Sequence, residues 1–250
     1  MDAYIKRGYS KSYLNDYQRT IEDSTEAIKL DIKKKEYIPY NNRGLALFHL
    51  GENEKSLKDF DRCHKIYPQF SLAYHNEGLV FSNLKNYNRT IKSYSKAIQY
   101  EPDNYDDWNR RGDAFLRLNK YKQAISDYDR ALKGKSDDYI TWTRRSIALY
   151  NLKKYKEADY SWNKALEYNP DKALEYNPDY DYVWYGKARM YGLKTELLLA
   201  VKNLKKAIIL NPKYKEKAKT DDAFDLIREQ PIFQAVLFEN KWAAHYFENH

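Results

Sequence analysis

The chain has 250 residues, a formal charge of +8, 32% charged and 42% hydrophobic residues, a balance that excludes an intrinsically disordered protein. Its single cysteine, Cys63, excludes an intramolecular disulfide, and no run approaches the roughly 18 apolar residues of a membrane-spanning helix. A reducing, cytoplasmic setting is expected. From Lys213 onward six basic residues face seven acidic ones, so the positive excess lies upstream. It reads either as a Lys-rich solvated surface or as attraction to an acidic partner.

Residues 1–36 space Tyr4, Gly8, Tyr17, Thr20 and Ala27 for two short helices, with Lys11 and Ser24 where large apolar residues would fit. The first residues hold no apolar signal-peptide core. Met1 falls at the start of this unit, which leaves room upstream for further repeats or a signal. Residues 37–70 carry Tyr40, Gly44, Leu47, Ser56, Phe60, Cys63 and Pro68, and residues 71–104 carry Tyr74, Gly78, Phe81, Thr90, Tyr94, Ala97 and Pro102. Residues 105–138 repeat the scheme with Trp108, Gly112, Phe115, Ala124, Tyr128 and Ala131, and place Asn119-Lys120 at the turn. Asn42-Arg43-Gly44, Asn76-Glu77-Gly78 and Arg110-Arg111-Gly112 thus recur every 34 residues, the signature of a helical repeat array.

Residues 139–180 continue with Trp142, Ser146, Leu149, Ala158, Trp162, Ala165 and Pro170, and contain a duplicated octet: residues 164–171 reappear as 172–179. A helix running through the second copy would hold Pro170 in its interior, at a cost of about 3 kcal/mol. The helix is therefore expected to end near Tyr168, with the second copy an extra loop or short turn. Residues 181–214 carry Trp184, Ala188, Tyr191, Ala200, Leu204, Ala207 and Pro212. After Tyr214 the pattern breaks. Asp221 or Asp222 is placed to cap a short helix through Ile227, and Pro231 suits the first turn of a last one. On that last helix Phe233, Val236, Leu237, Ala244 and Phe247 share a face, a lid for the sixth repeat, with Trp242 off the stripe.

The aromatic residue at position 4, the small one at 8, alanines at 20 and 27, the aromatic at 24 and the proline at 32 resemble the tetratricopeptide repeat. The resemblance covers residues 1–214. It implies an all-α right-handed α-solenoid of six helix-turn-helix repeats, closed by a C-terminal helical cap over residues 215–250. Trp108, Trp142, Trp162 and Trp184 are expected in the core, and Tyr17, Tyr87, Tyr121 and Tyr155 at the turns. Tyr182 and Tyr185 fit no core position and are expected at the groove.

Signals for catalysis are nearly absent. There is no phosphate-binding glycine loop, the five histidines form no pair at metal-ligand spacing, and Cys63 holds a packed position. No enzyme activity, metal or cofactor is expected. The family resemblance instead implies a concave face lined by the first helix of each repeat. Here Asn42, His75, Asn76, Asn109, Arg110, Arg144, Tyr185 and Arg189 are the candidate peptide-binding residues. Asn can hold both N–H and C=O of an extended chain, and Arg can grip a carboxylate. Of the clamp by which some members hold acidic chaperone tails, only Asn76 and Arg110 are matched, and Asp106 would repel a carboxylate. The expected function is a non-enzymatic scaffold for a peptide or protein segment. The alternatives are RNA binding through the basic surface, or self-association through the solenoid ends.

Overall fold

The computed structural model describes residues 16–31, 35–169 and 181–238, which form thirteen α-helices and one 3-10 turn, with no strand among the described residues. The chain divides into two compact units, Met1–Ser136 and Asp137–His250. The first holds α1 (Tyr17–Leu30), α2 (Ile38–His49), α3 (Asn53–Ile66), α4 (Ser71–Asn83), α5 (Tyr87–Tyr100), α6 (Tyr105–Arg117) and α7 (Tyr121–Gly134). The second holds α8 (Tyr139–Asn151), α9 (Tyr155–Tyr168), α10 (Asp181–Leu193), α11 (Leu197–Leu210), α12 (Lys213–Thr220) and α13 (Pro231–Phe238). The fold is the expected all-α stack of paired helices.

Each pair closes because a small residue at position 8 meets a large one at position 24. A Cβ on Gly78 would stand 2.8 Å from the Tyr94 ring, and one on Gly112 2.8 Å from Tyr128. Phe60, Tyr94, Tyr128 and Trp162 are fully enclosed as a result. Cys63 is buried as well, and burial, then Asp59, pushes its thiol up to about 12, so it is an inert packing group.

The turn inside each pair has one fixed feature. Position 15 takes a left-handed backbone in five successive repeats: Gly51 (φ 81°), Lys85 (55°), Asn119 (57°), Lys153 (60°) and Thr195 (59°). Only Gly51 and Asn119 are residues suited to it. The tyrosine two places later begins the next helix at Tyr87, Tyr121 and Tyr155, as Tyr17 does in the first repeat.

A second regularity joins positions 7 and 23, sixteen residues apart. Arg43 makes a two-pronged pair with Asp59, both bonds 2.8 Å, and Arg111 repeats it with Asp127 at 2.8 Å twice. Between them Ser93 donates to Glu77 at 2.7 Å, and in the second unit Arg145 donates to Ser161 at 2.5 Å. Arg43 also reaches Thr25 (3.2 Å) and Arg111 reaches Ser95 (3.0 Å), each on the second helix of the preceding repeat.

Three expectations are corrected. Of the four tryptophans only Trp162 is enclosed; Trp108, Trp142 and Trp184 are half-buried. Position 4 sits at the rim, where long cations lie on the ring: Arg111 and Arg130 at 4.8 and 5.8 Å from Trp108, Arg145 at 5.8 Å from Trp142, Lys187 at 5.8 Å from Trp184. Tyr182 and Tyr185 are core residues, not groove residues, because Tyr182 stacks on a tyrosine of α8 and Tyr185 on one of α12. Tyr182 lies 4.5 Å from Tyr150, and Tyr185 lies 4.3 Å from Tyr214.

The third correction concerns the tail, where the chain stays helical through α12 beyond Tyr214. Asp221 does act as a cap, accepting from the Ala223 amide at 3.1 Å, but it starts only a 3-10 turn, Asp222–Phe224, which gives way to turns before Ile227. Phe224 then packs edge-on to Tyr185 (6.0 Å) and against Phe233 (5.0 Å). With Phe233 and Leu237 buried and Val236 half-buried, α13 closes the sixth repeat as expected. The helix before the octet ends at Tyr168, where Asn169 N–H bonds Ala165 C=O at 3.0 Å. The second octet copy, 172–179, lies outside the described residues, as do Tyr4, Gly8, Lys11, Trp242, Ala244 and Phe247.

Candidate functional site

The residues nominated from the sequence lie on the first helices of their repeats. In the first unit α2, α4 and α6 carry Asn42, His75, Asn76, Asn109 and Arg110. The two asparagines at position 6 are buried rather than open, because they bond within the fold. Asn76 Nδ2 donates to Asn41 Oδ1 at 2.9 Å, and Asn41 Nδ2 reaches Asn42 Oδ1 at 3.4 Å. His75 Nδ1 lies 2.5 Å from Asp107 Oδ1, and its ring stands edge-on to Tyr94 at 5.7 Å. Asp107 is fully buried, and that burial raises its carboxyl above the ordinary range against the pull of His75.

The fourth repeat supplies the reachable groups. Arg110 is exposed and its Nε bonds Asp106 Oδ2, one turn earlier on α6, at 2.5 Å. Asn109 is half-buried beside it. Asp113 at position 9 accepts from the Tyr128 hydroxyl at 2.9 Å. The equivalent position of the third repeat is Leu79, which leaves the buried Tyr94 hydroxyl with no acceptor in the protein. Asn109, Arg110 and Asp106 together present an amide, a guanidinium and a carboxylate on α6. Among the described residues no group of three or more His, Cys, Asp or Glu is placed to hold a metal ion.

In the second unit Arg144 is half-buried on α8. Tyr185 and Arg189, on α10, do come together, but around a carboxylate of the chain itself. Tyr185 Oη donates to Asp221 Oδ2 at 2.8 Å, and Arg189 Nε lies 3.0 and 2.9 Å from the two carboxylate oxygens. Arg189 also approaches Asp222 at 3.6 Å. Burial acts to raise the Asp221 carboxyl, yet Tyr185, Arg189 and the Ala223 amide together hold it below the usual range. Arg189, nominated as a peptide-binding residue, thus holds a carboxylate of the chain's own tail.

Two functional groupings escaped sequence reasoning. The position 7–23 clasps had a visible signal, since Arg43/Asp59 and Arg111/Asp127 repeat the same charges at the same spacing. The Asp221 docking had none, because its partners are fixed only by how the tail folds back.

Models of the tetratricopeptide repeat match residues 39–70, 75–140 and 109–166. No curated protein matches this sequence. Among solved structures, YrrB, described as a TPR protein with an unusual peptide-binding site, is 23% identical. The match covers 78% of this chain and 97% of that one, with a TM-score of 0.59. MamA is 18% identical over 70% of this chain and 94% of its own, with a TM-score of 0.60. A double mutant of MamA reaches 0.62 at 15% identity, covering 68% and 95%. Likeness at these identities is likeness of fold.

Proposed function

Because this chain belongs to the tetratricopeptide repeat family, we propose that it is a non-enzymatic scaffold. It holds a peptide or protein segment on the face formed by its first helices. The observation that supports this is the row of polar groups on α6: Arg110 and Asp106 are exposed there and Asn109 is half-buried, while Asn76 and His75 on α4 are fastened into the fold. Asn109 and Arg110 are the contact residues of the first unit, and Arg144 is, by itself, the candidate contact residue of the second. Asn42 and Asn76 act by positioning, since they are buried. Tyr185 and Arg189 serve the site only if the tail withdraws. The peptide-binding site described for YrrB belongs to a similar fold and supports the same class of ligand here.

The test is capture from native lysate, with and without nuclease, using the wild type and the variant Asn109→Ala/Arg110→Ala/Arg144→Ala. Asn76 is left intact because its loss would cost about 1 kcal/mol of stability by itself. A protein retained through nuclease and lost with the variant is the expected result. Unchanged capture sinks the site, and capture that vanishes with nuclease moves the function to nucleic acid.

A further inference from the structure

The sixth repeat differs from the others on its outside. Position 13 is His49, Asn83, Arg117 and Asn151 in four successive repeats, and Leu193 in the sixth. Position 18 runs Glu54, Asn88, Lys122, Lys156, then Leu198; position 19 runs Lys55, Arg89, Gln123, Glu157, then Leu199; position 29 runs Lys65, Gln99, Lys133, Glu167, then Ile209. These substitutions are not absorbed by packing. Leu193 is 66% exposed, Leu198 58%, Leu199 40% and Ile209 67%. Helix α11 already buries its inner face through Ala200, Val201, Leu204 and Ala207, so Leu198 and Ile209 stand mostly outside the core.

The same outer face is basic. Leu198, Lys202, Lys205 and Ile209 follow the helical repeat along one stripe, with Lys206 beside it, and α11 contains no acidic residue. Glu196, at its N-cap, is the acidic neighbour, and Lys194 precedes it. Apolar side chains at both ends of a stripe about 16 Å long, with lysines between, make an amphipathic surface of the kind that lies in a membrane interface. A second copy is a poor occupant. A two-fold pairing of this face would set its lysines against their own counterparts. A flat anionic surface meets both ends at once and leaves the lysine stems free to reach phosphates.

We propose that the outer face of the sixth repeat seats the protein on an anionic lipid bilayer. Leu198, Leu199 and Ile209 enter the interface, and Lys194, Lys202 and Lys206 meet the head groups. The placement is independent of any ligand on the first helices. The test is co-sedimentation of the full chain with phosphatidylcholine vesicles and with mixed phosphatidylcholine–phosphatidylglycerol vesicles. The wild type is compared with Leu198→Ser/Ile209→Ser and with Lys202→Glu/Lys206→Glu, after thermal melts have shown all three equally folded. Binding to the mixed vesicles alone, weakened at least about ten-fold in both variants, is the expected result. A serine variant that binds as well as the wild type would overturn the proposal, since diffuse charge would then carry the binding. So would a wild type that ignores both vesicles, or one whose mass rises with concentration instead.

Discussion

Asp221 sits between the Tyr185 hydroxyl and the Arg189 guanidinium, 2.8 Å from one and 2.9 Å from the other, and so fastens the tail to α10. The Asp221 side chain is nearly enclosed, and its held-down pKa makes the fastening strongest above the ordinary aspartate range. As pH falls through that lowered value the contribution disappears. Asp221→Ala leaves Arg189 half-buried beside an unpartnered tyrosine. The expected cost is about 2–3 kcal/mol, with early proteolysis after Thr220. A melt and a limited digest of the variant check both; a tail as resistant as in the wild type would contradict this fastening.

The clasps between positions 7 and 23 predict a compensating pair. Arg111→Glu sets a second carboxylate against the nearly enclosed Asp127 and should cost about 3 kcal/mol or more. Adding Asp127→Ser recreates the Glu77–Ser93 arrangement of the third repeat. Most of the loss should return in the double variant, measured by urea unfolding. Additive losses would show that the clasp is not interchangeable between repeats.

His64 lies stacked on Tyr74 at 3.8 Å, with both ring nitrogens buried and unbonded. Burial pushes its pKa down to about 4, outweighing Asp61, and Glu77, whose nearest oxygen is 3.8 Å away, does not reverse the shift. The unfolded chain takes up this proton near the ordinary value of about 6.5, before the folded one does. Stability is therefore intact above that pH and falls as the solution is acidified towards pH 4, by up to about 3 kcal/mol. Glu77, itself raised by burial, opposes part of this loss. His64→Gln should flatten the dependence between those limits, read from urea midpoints across the range.

Thr195 is the least suitable of the five residues held at positive φ, because its branched Cβ crowds the left-handed backbone. Thr195→Gly should stabilise the second unit by about 0.5–1 kcal/mol, whereas Gly51→Val should destabilise the first by about 1–2 kcal/mol. Thermal midpoints moving in opposite directions would verify the pair.

The helix pairs were legible because period and packing are one fact: Gly78 is small where Tyr94 is large, and the spacing repeats. The helix end at Tyr168 was legible from Pro170 alone. The groove was legible only as a set of positions. Asn42 and Asn76 lie on first helices but are buried, because Asn76 bonds across to Asn41 and Asn41 to its neighbour Asn42, which no spacing records. Tyr185 was misplaced because its lid, Phe224 and Tyr214, belongs to a tail with no repeat signal. Trp108 was read as core because its position is aromatic in every repeat, while the cations that complete its environment come from two different helices.

The alternation of clasps also amounts to an address system. A second helix bearing Asp59 or Asp127 satisfies an arginine on its own first helix, whereas one bearing Ser93 meets Glu77. A second helix from the second or fourth repeat set against the first helix of the third would bring Asp59 or Asp127 up to Glu77, two carboxylates facing each other. A chain of near-identical modules risks exchanging segments with itself or with a neighbour while it folds. Each mismatched clasp penalises such an exchange before the core has closed around it.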